Sequence, residues 1–232
     1  MIRRLIRWLR NALLLLLAAV LLYQVWIFIC IWWWTDHNPS QSAFMSARQE
    51  ALEERMPGAK ISQRWVPYDR ISIHLKRAVV AAEDAKFVDH EGFDWDGIQR
   101  AMEKNQKKGK IVAGGSTISQ QLAKNLFLSA RRTPWRKAQE AVITLMLEHT
   151  MSKRRILEIY LNLIEWGEQV FGCEAAARHY FGIGAGQLSP SESAMLAAMV
   201  PNPRFYDKHR NAPGLQRKTG IILARMSSAE VP

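Results

Sequence analysis

The chain has 232 residues, with 32 Lys or Arg against 21 Asp or Glu, a net charge of +11, and two cysteines. That length suits one hydrophobic core rather than two, and the cysteines, Cys30 in an apolar run and Cys173 far beyond it, exclude a disulfide framework. The positive charge points to anionic partners.

Arg3, Arg4, Arg7 and Arg10 precede a run, Leu13 to Trp34, that has no charge and one strongly polar residue, Gln24. As a helix this run rises about 33 Å, enough to cross a hydrocarbon layer of roughly 30 Å. Tyr23, Trp26 and Trp32 to Trp34 weight its outer half toward an interfacial aromatic belt. A cleaved signal peptide has a shorter apolar region that ends in small residues. The pattern therefore predicts a basic cytoplasmic tail over 1–11 and a retained transmembrane helix over 12–34, with the rest of the chain outside. Four of the 32 basic residues lie before the span, leaving 28 against 21 acidic ones, a charge of about +7 for the exported part. Outside the cell such a surface meets lipid headgroups or a phosphorylated substrate, and no nucleic acid.

Residues 35–66 read as a stalk, polar around Pro39 and charged and helix-prone from Ala47 to Arg55, with folded structure starting near Tyr68 and the domain covering 67–232. The domain reads as mainly α. Helical composition covers Arg77 to Glu83 and Gly97 to Lys107. Ile118, Leu122 and Leu126 give the segment Ser116 to Leu128 one packed face. Trp135 to Leu163 reads as two helices meeting near Ser152, and Ser191 to Val200 as one stopped by Pro201 and Pro203. Alternating strand patterns are almost absent, and glycine-containing loops fall at 108–115 and 182–186. The segment from Lys104 to Gly115, rich in glycine and lysine, is expected to be mobile until donor or lipid binds.

Two groups of residues carry chemistry. Arg132, Arg136 and Glu140 are spaced four apart, which puts them on one helix face, with Lys137 beside them. Such a row can be a solvated face. With Lys124 and the Ser116-Thr117 helix start a short loop away, it also supplies what a phosphate needs. Glu83 ends an apolar helical run, followed by Asp84, Asp89, His90, Glu91 and Asp94. A carboxylate leaving an apolar helix can have a raised pKa, which suits a general base; the other acids can instead cap the turn at Gly92. Asp94-Trp95-Asp96 has the form of a metal-binding acidic pair but no nucleotide-binding unit around it. Lys218-Thr219-Gly220 matches part of a transpeptidase signature whose Ser-x-x-Lys nucleophile the chain lacks. A base near the start of the domain and cations later fit glycosyl transfer from a sugar diphosphate better than hydrolysis, which needs a general acid.

Five blocks in order resemble the peptidoglycan glycosyltransferases of glycosyltransferase family 51 in their monofunctional, membrane-anchored form. They are Glu83-Asp84-x-x-Phe87-x-x-His90-x-Gly92, Gly114 to Asn125, Arg132 to Glu140, Lys153 to Asn162, and a block from Arg217, the last being the one that departs most from the family pattern. The resemblance implies a lysozyme-like, two-lobed, mainly α domain behind a single N-terminal transmembrane helix, with its smaller basic and apolar lobe against the bacterial inner membrane. It implies lipid II as acceptor, lipid-linked glycan as donor and release of undecaprenyl diphosphate, with Mg²⁺ assisting but no dedicated metal site readable. Glu83 would be the base, and Glu140 would organise the cation cluster. Lys124, Arg132, Arg136 and Lys137 would hold the diphosphate, while Asp84, Ser116, Gln121 and Asn125 would contact substrate. Glu158, Tyr160 and Asn162 would support the cleft. With no transpeptidase domain after the fifth block, cross-linking would fall to partner proteins of cell-wall synthesis. A lytic enzyme of similar fold is the rival reading, and it has no use for the cations.

Overall fold

Polar caps set where the helices start. In the computed structural model, which describes residues 1–110, 114–129, 131 and 133–232, Thr117 and Gln120 form a reciprocal capping box ahead of one helix, Ile118–Phe127. Thr133 with Pro134 starts the next, Pro134–Thr150, and Ser152 starts Lys153–Leu163. Each cap answers a backbone N–H that the first helical turn leaves unpaired. Numbered along the chain, the helices are α1 (Ile2–Trp33), α2 (Ala43–Glu53), α3 (Ile73–Glu83), α4 (Trp95–Lys108), α5 (Ile118–Phe127), α6 (Pro134–Thr150) and α7 (Lys153–Leu163). Then follow α8 (Cys173–Phe181), α9 (Pro190–Met199), α10 (Pro203–Lys208) and α11 (Pro213–Arg225). The fold is mainly α, as expected, with the 135–163 region split at Ser152.

Two packed groups share one core. Helix α3 lies against α9 and α11, while α5 lies against α2, α6 and α7. Phe87, Tyr160, Trp166 and Phe171 are fully buried in this core. Glu83, at the end of α3, therefore emerges from one group facing the other.

The structure adds two things to the sequence reading. A small sheet exists, in the order β1 (Ser62–Gln63), β3 (Val170–Phe171), β2 (Glu165–Gly167), with β1 parallel and β2 antiparallel to β3. Strands of two or three residues are too short to show alternation, and every residue of β2 and β3 is buried. Residues 35–66, read as a stalk, carry folded structure. Helix α2 packs on α5 with Met45 and Leu52 buried, and β1 joins the sheet. Met45 and Leu52, seven apart, make an apolar stripe that the surrounding charges obscure. In the 108–115 loop, Gly109 caps α4 in the left-handed conformation, and 111–113 lie outside the described residues.

Helix α1 has a mean hydropathy of 2.7 in its most apolar stretch and is, among the described residues, the one helix long and apolar enough to cross a membrane. Its C-terminal third is docked on the domain. Ile27 and Ile31 are fully buried, and Trp26 meets the Phe127 ring edge-on at 6.1 Å. The amides of Gln24 and Gln139 on α6 exchange two hydrogen bonds of 2.9 and 3.0 Å. Arg155 fastens the exit from α1, donating to the carbonyls of Trp34 at 2.9 Å and His37 at 2.7 Å.

Gly172, the cap of α8, sits at φ 78, where a Cβ would lie 2.6 Å from the Asn162 carbonyl oxygen. Gly172→Ala should destabilise the domain by about 2–4 kcal/mol, combining a left-handed backbone with a backbone clash. Gly220→Ala, in open space on α11, should be neutral or stabilise by up to about 1 kcal/mol. Thermal unfolding of the detergent-solubilised variants measures both.

Candidate active site

The turn after α3 fixes the direction in which Glu83 leaves it. Asp84 is buried, and its carboxylate oxygens accept from His90 Nε2 at 2.9 and 3.1 Å. One of them also accepts from the Ile118 backbone N–H at 3.0 Å, an orphan donor at the start of α5. His90 Nδ1 accepts from the Gly92 N–H at 3.1 Å, so its proton sits on Nε2 and points at Asp84. Thr117 donates to the Gly92 carbonyl at 2.7 Å. The two sequence blocks are thereby stitched together, which explains the spacing of Asp84, His90 and Gly92. Asp84, expected to contact substrate, has a side chain only 2% exposed and engaged in these bonds, and it lines the cavity beside Glu83 with Ser116 and Thr117.

Glu83 meets α5 through Gln121, whose Nε2 donates to Glu83 Oε2 at 2.8 Å. Gln121 Oε1 in turn accepts from the Tyr160 hydroxyl at 2.9 Å. Burial, then the Glu83 and Asp84 carboxylates, hold the fully buried Tyr160 far above the usual phenol range. It stays an O–H donor and locks the Gln121 amide with its NH₂ toward Glu83. Glu83 keeps some contact with solvent, yet desolvation by the protein around it pushes its carboxyl above the usual range; the Gln121 hydrogen bond, then Lys218 and Lys124, oppose this. Among the described residues Glu83 Oε1 has no hydrogen-bond partner. A carboxylate with a raised pKa, one oxygen held and the other open, is equipped to take a proton.

Glu83 lines two cavities of about 170 Å³, one with Ser116 and Thr117 and one with Lys218 and Arg225. Gln121 and Tyr160 line a third, of about 370 Å³, together with Lys124 and Asn125. Lys124 forms no hydrogen bond or ion pair among the described residues. Burial pushes its ammonium down, Arg136 and Lys137 add to this, and Glu140 and Glu83 oppose it. On α6, Glu140 is 3% exposed and takes Arg136 at 2.7 Å on one oxygen and Lys137 on the other. With both oxygens engaged, Glu140 is a positioning residue that aims two cations. Helix α6 begins at Pro134, so the four-residue row runs from Arg136 to Glu140, and Arg132 lies outside the described residues.

Lys218, part of a dismissed signature, puts its charge near Glu83, whereas nothing brings Arg217 to the site. Glu158 accepts from the Tyr68 N–H at 3.1 Å, and Asn162 pairs with both backbone groups of Val66 at 2.8 and 2.9 Å. Tyr160 reaches the site through Gln121, a role that its fully buried position hid in the sequence. Among the described residues no three His, Cys, Asp or Glu side chains converge, and Asp84 and Glu140 are already engaged.

A family model described as transglycosylase matches residues 49–227. The chain belongs to the transglycosylase family. Three relatives carry the name biosynthetic peptidoglycan transglycosylase. The one from Methylobacillus flagellatus is 69% identical over 222 residues, covering 96% of this chain and 97% of that protein. Those from Chromobacterium violaceum and Dechloromonas aromatica are 64% and 61% identical, covering 94% and 97% of this chain and 95% and 98% of theirs. This transglycosylase is accordingly a glycosyltransferase with a lysozyme-like domain.

Two outcomes follow from Glu83 and Asp84. A carboxyl raised in the folded state makes a stabilising contribution that is full below the unfolded value of about 4.3 and is lost as pH rises through the folded value. Glu83→Gln should therefore raise the melting temperature at pH 7, with the gain vanishing below pH about 4. Asp84→Ala should cost about 2–4 kcal/mol by stranding His90 and the start of α5, and Asp84→Asn less, in chemical denaturation.

Proposed function

We propose that this transglycosylase polymerises lipid II into β-1,4 glycan strands. Glu83 Oε1 takes the proton of the acceptor 4-hydroxyl as that oxygen forms a bond to C1 of the donor N-acetylmuramic acid. The bond from C1 to the diphosphate breaks with inversion, and undecaprenyl diphosphate leaves carrying the electron pair. Gln121, locked by Tyr160, holds the other carboxylate oxygen and so fixes the direction in which the proton is received. Lys124, which makes no ion pair among the described residues, faces the developing diphosphate charge, and Arg136 and Lys137, held by Glu140, add to the cation set, to which Arg132 would contribute from its place in the motif. Asn125 and Ser116 line the flanking cavities. A divalent cation such as Mg²⁺, which the resemblance implies, would help neutralise the leaving diphosphate.

One observation carries this reading: among the described residues, a base with an open oxygen sits one side chain away from a lysine that makes no ion pair, beside two cations held by Glu140. A cutter of the same polymer releases no diphosphate and gains nothing from that lysine. The names of the relatives support peptidoglycan as the product. Helix α1 serves as a single-pass anchor in the inner membrane, with its arginine-rich end in the cytoplasm and the domain in the periplasm. The chain carries no Ser-x-x-Lys motif, which supports polymerisation without transpeptidation.

Detergent-solubilised protein with labelled lipid II should make muramidase-sensitive polymer. Glu83→Gln should lower the rate by about 10² to 10⁴-fold, the usual worth of a general base, and Lys124→Met by a comparable factor through loss of leaving-group stabilisation. Anhydro-muropeptides released from sacculi, with no polymer from lipid II, would overturn the reading.

A further inference from the structure

The 370 Å³ cavity has a second cationic wall that polymerisation leaves without a role. Besides Lys124 it is lined by Arg48 of α2 and Arg204 of α10, both within ion-pair reach of Glu165. Glu165 is 8% exposed; Arg48 Nη2 reaches it at 3.3 Å and Arg204 Nε at 3.9 Å. Arg204 spends its other contact on Glu168 at 3.2 Å. Neither arginine makes the two-pronged fork of a dedicated carboxylate partner, and Arg48 Nε is buried without any partner. Each guanidinium has five donors, and both side chains are over a third exposed, so further donors remain open to a ligand. Arg48, Lys124 and Arg204 thus line the cavity against one carboxylate. The same three side chains, Arg48, Glu165 and Arg204, also wall a neighbouring cavity of about 170 Å³.

We propose that Arg48 and Arg204 form a carboxylate-binding subsite for the acidic peptide substituent of the glycan donor, an inference that rests on lipid II being the substrate. Planar guanidinium groups fit a planar carboxylate. Glu165, within ion-pair reach of both, disfavours a doubly charged phosphate more than a singly charged carboxylate. The wall shares its cavity with Gln121 and Tyr160, so a group held there belongs to a molecule already engaged at Glu83.

The test measures initial polymerisation rates of the full chain on lipid II with free peptide carboxylates and on lipid II with those carboxylates amidated. It is run in vesicles of phosphatidylcholine with and without phosphatidylglycerol. Amidation should raise the wild-type KM about tenfold, the worth of one charge-assisted hydrogen bond. Arg204→Gln should raise KM by a similar factor on the free-carboxylate substrate, keep kcat within about twofold, and add nothing on the amidated one. Arg48→Gln should follow the same pattern and serves if Arg204→Gln folds poorly. Equal effects on both substrates would reduce the arginines to a structural ion-pair network and overturn the subsite. An effect that tracks phosphatidylglycerol rather than the peptide would assign the wall to a lipid headgroup and overturn it too. A wild type that polymerises both substrates with one KM removes the subsite alone, whereas one that polymerises neither removes the polymerase reading beneath it.

Discussion

The buried carboxylate of Asp84 holds the site in register. It is bonded at once to His90, which closes the turn after α3, and to the first N–H of α5, so the exit direction of Glu83 and the position of Gln121 are set by one group. The protein around it desolvates that charge, which the donors then stabilise. Glu83 and Asp84, adjacent in the chain, therefore have opposite fates. One is saturated and rigid, and the other is held by a single amide and left with an oxygen to spare. Adjacent acids in different surroundings can divide structure and chemistry between them.

A second division separates the cations. Arg136 and Lys137 converge on Glu140, whereas Lys124 converges on nothing among the described residues. Three like charges packed together would repel one another, and the carboxylate of Glu140 lets two of them stay close. What remains is a site rich in positive charge, and that same charge opposes the rise that burial imposes on the carboxyl of its base. A substrate diphosphate would therefore act on both ends of the site, relieving Lys124 and weakening the pull on Glu83.

Much of this was legible in the chain because the motifs are short-range. Glu83, Gln121, Lys124, Arg136 and Glu140 lie in blocks whose spacing within a helix or turn determines their neighbours. Helix starts were equally legible at Thr117 and near Ser152, where the structure puts capping side chains. What stayed hidden depends on contacts distant in sequence. Tyr160 looks like core until its hydroxyl is found 39 positions away at Gln121. Lys218 enters only because α11 packs beside α3. The Met45–Leu52 stripe was masked by the charges around it, and strands of two residues have no period to detect. Asp84 reads as a substrate ligand by its company and is a clamp by its burial.

The amide pair between Gln24 and Gln139 changes what the anchor is. A polar side chain midway along an apolar helix has few partners in hydrocarbon, and here its partner is the residue before Glu140, on the helix that aims the cations. The anchor is then a strut rather than a leash. A displacement of α1 would be carried through this pair into the cation-bearing helix.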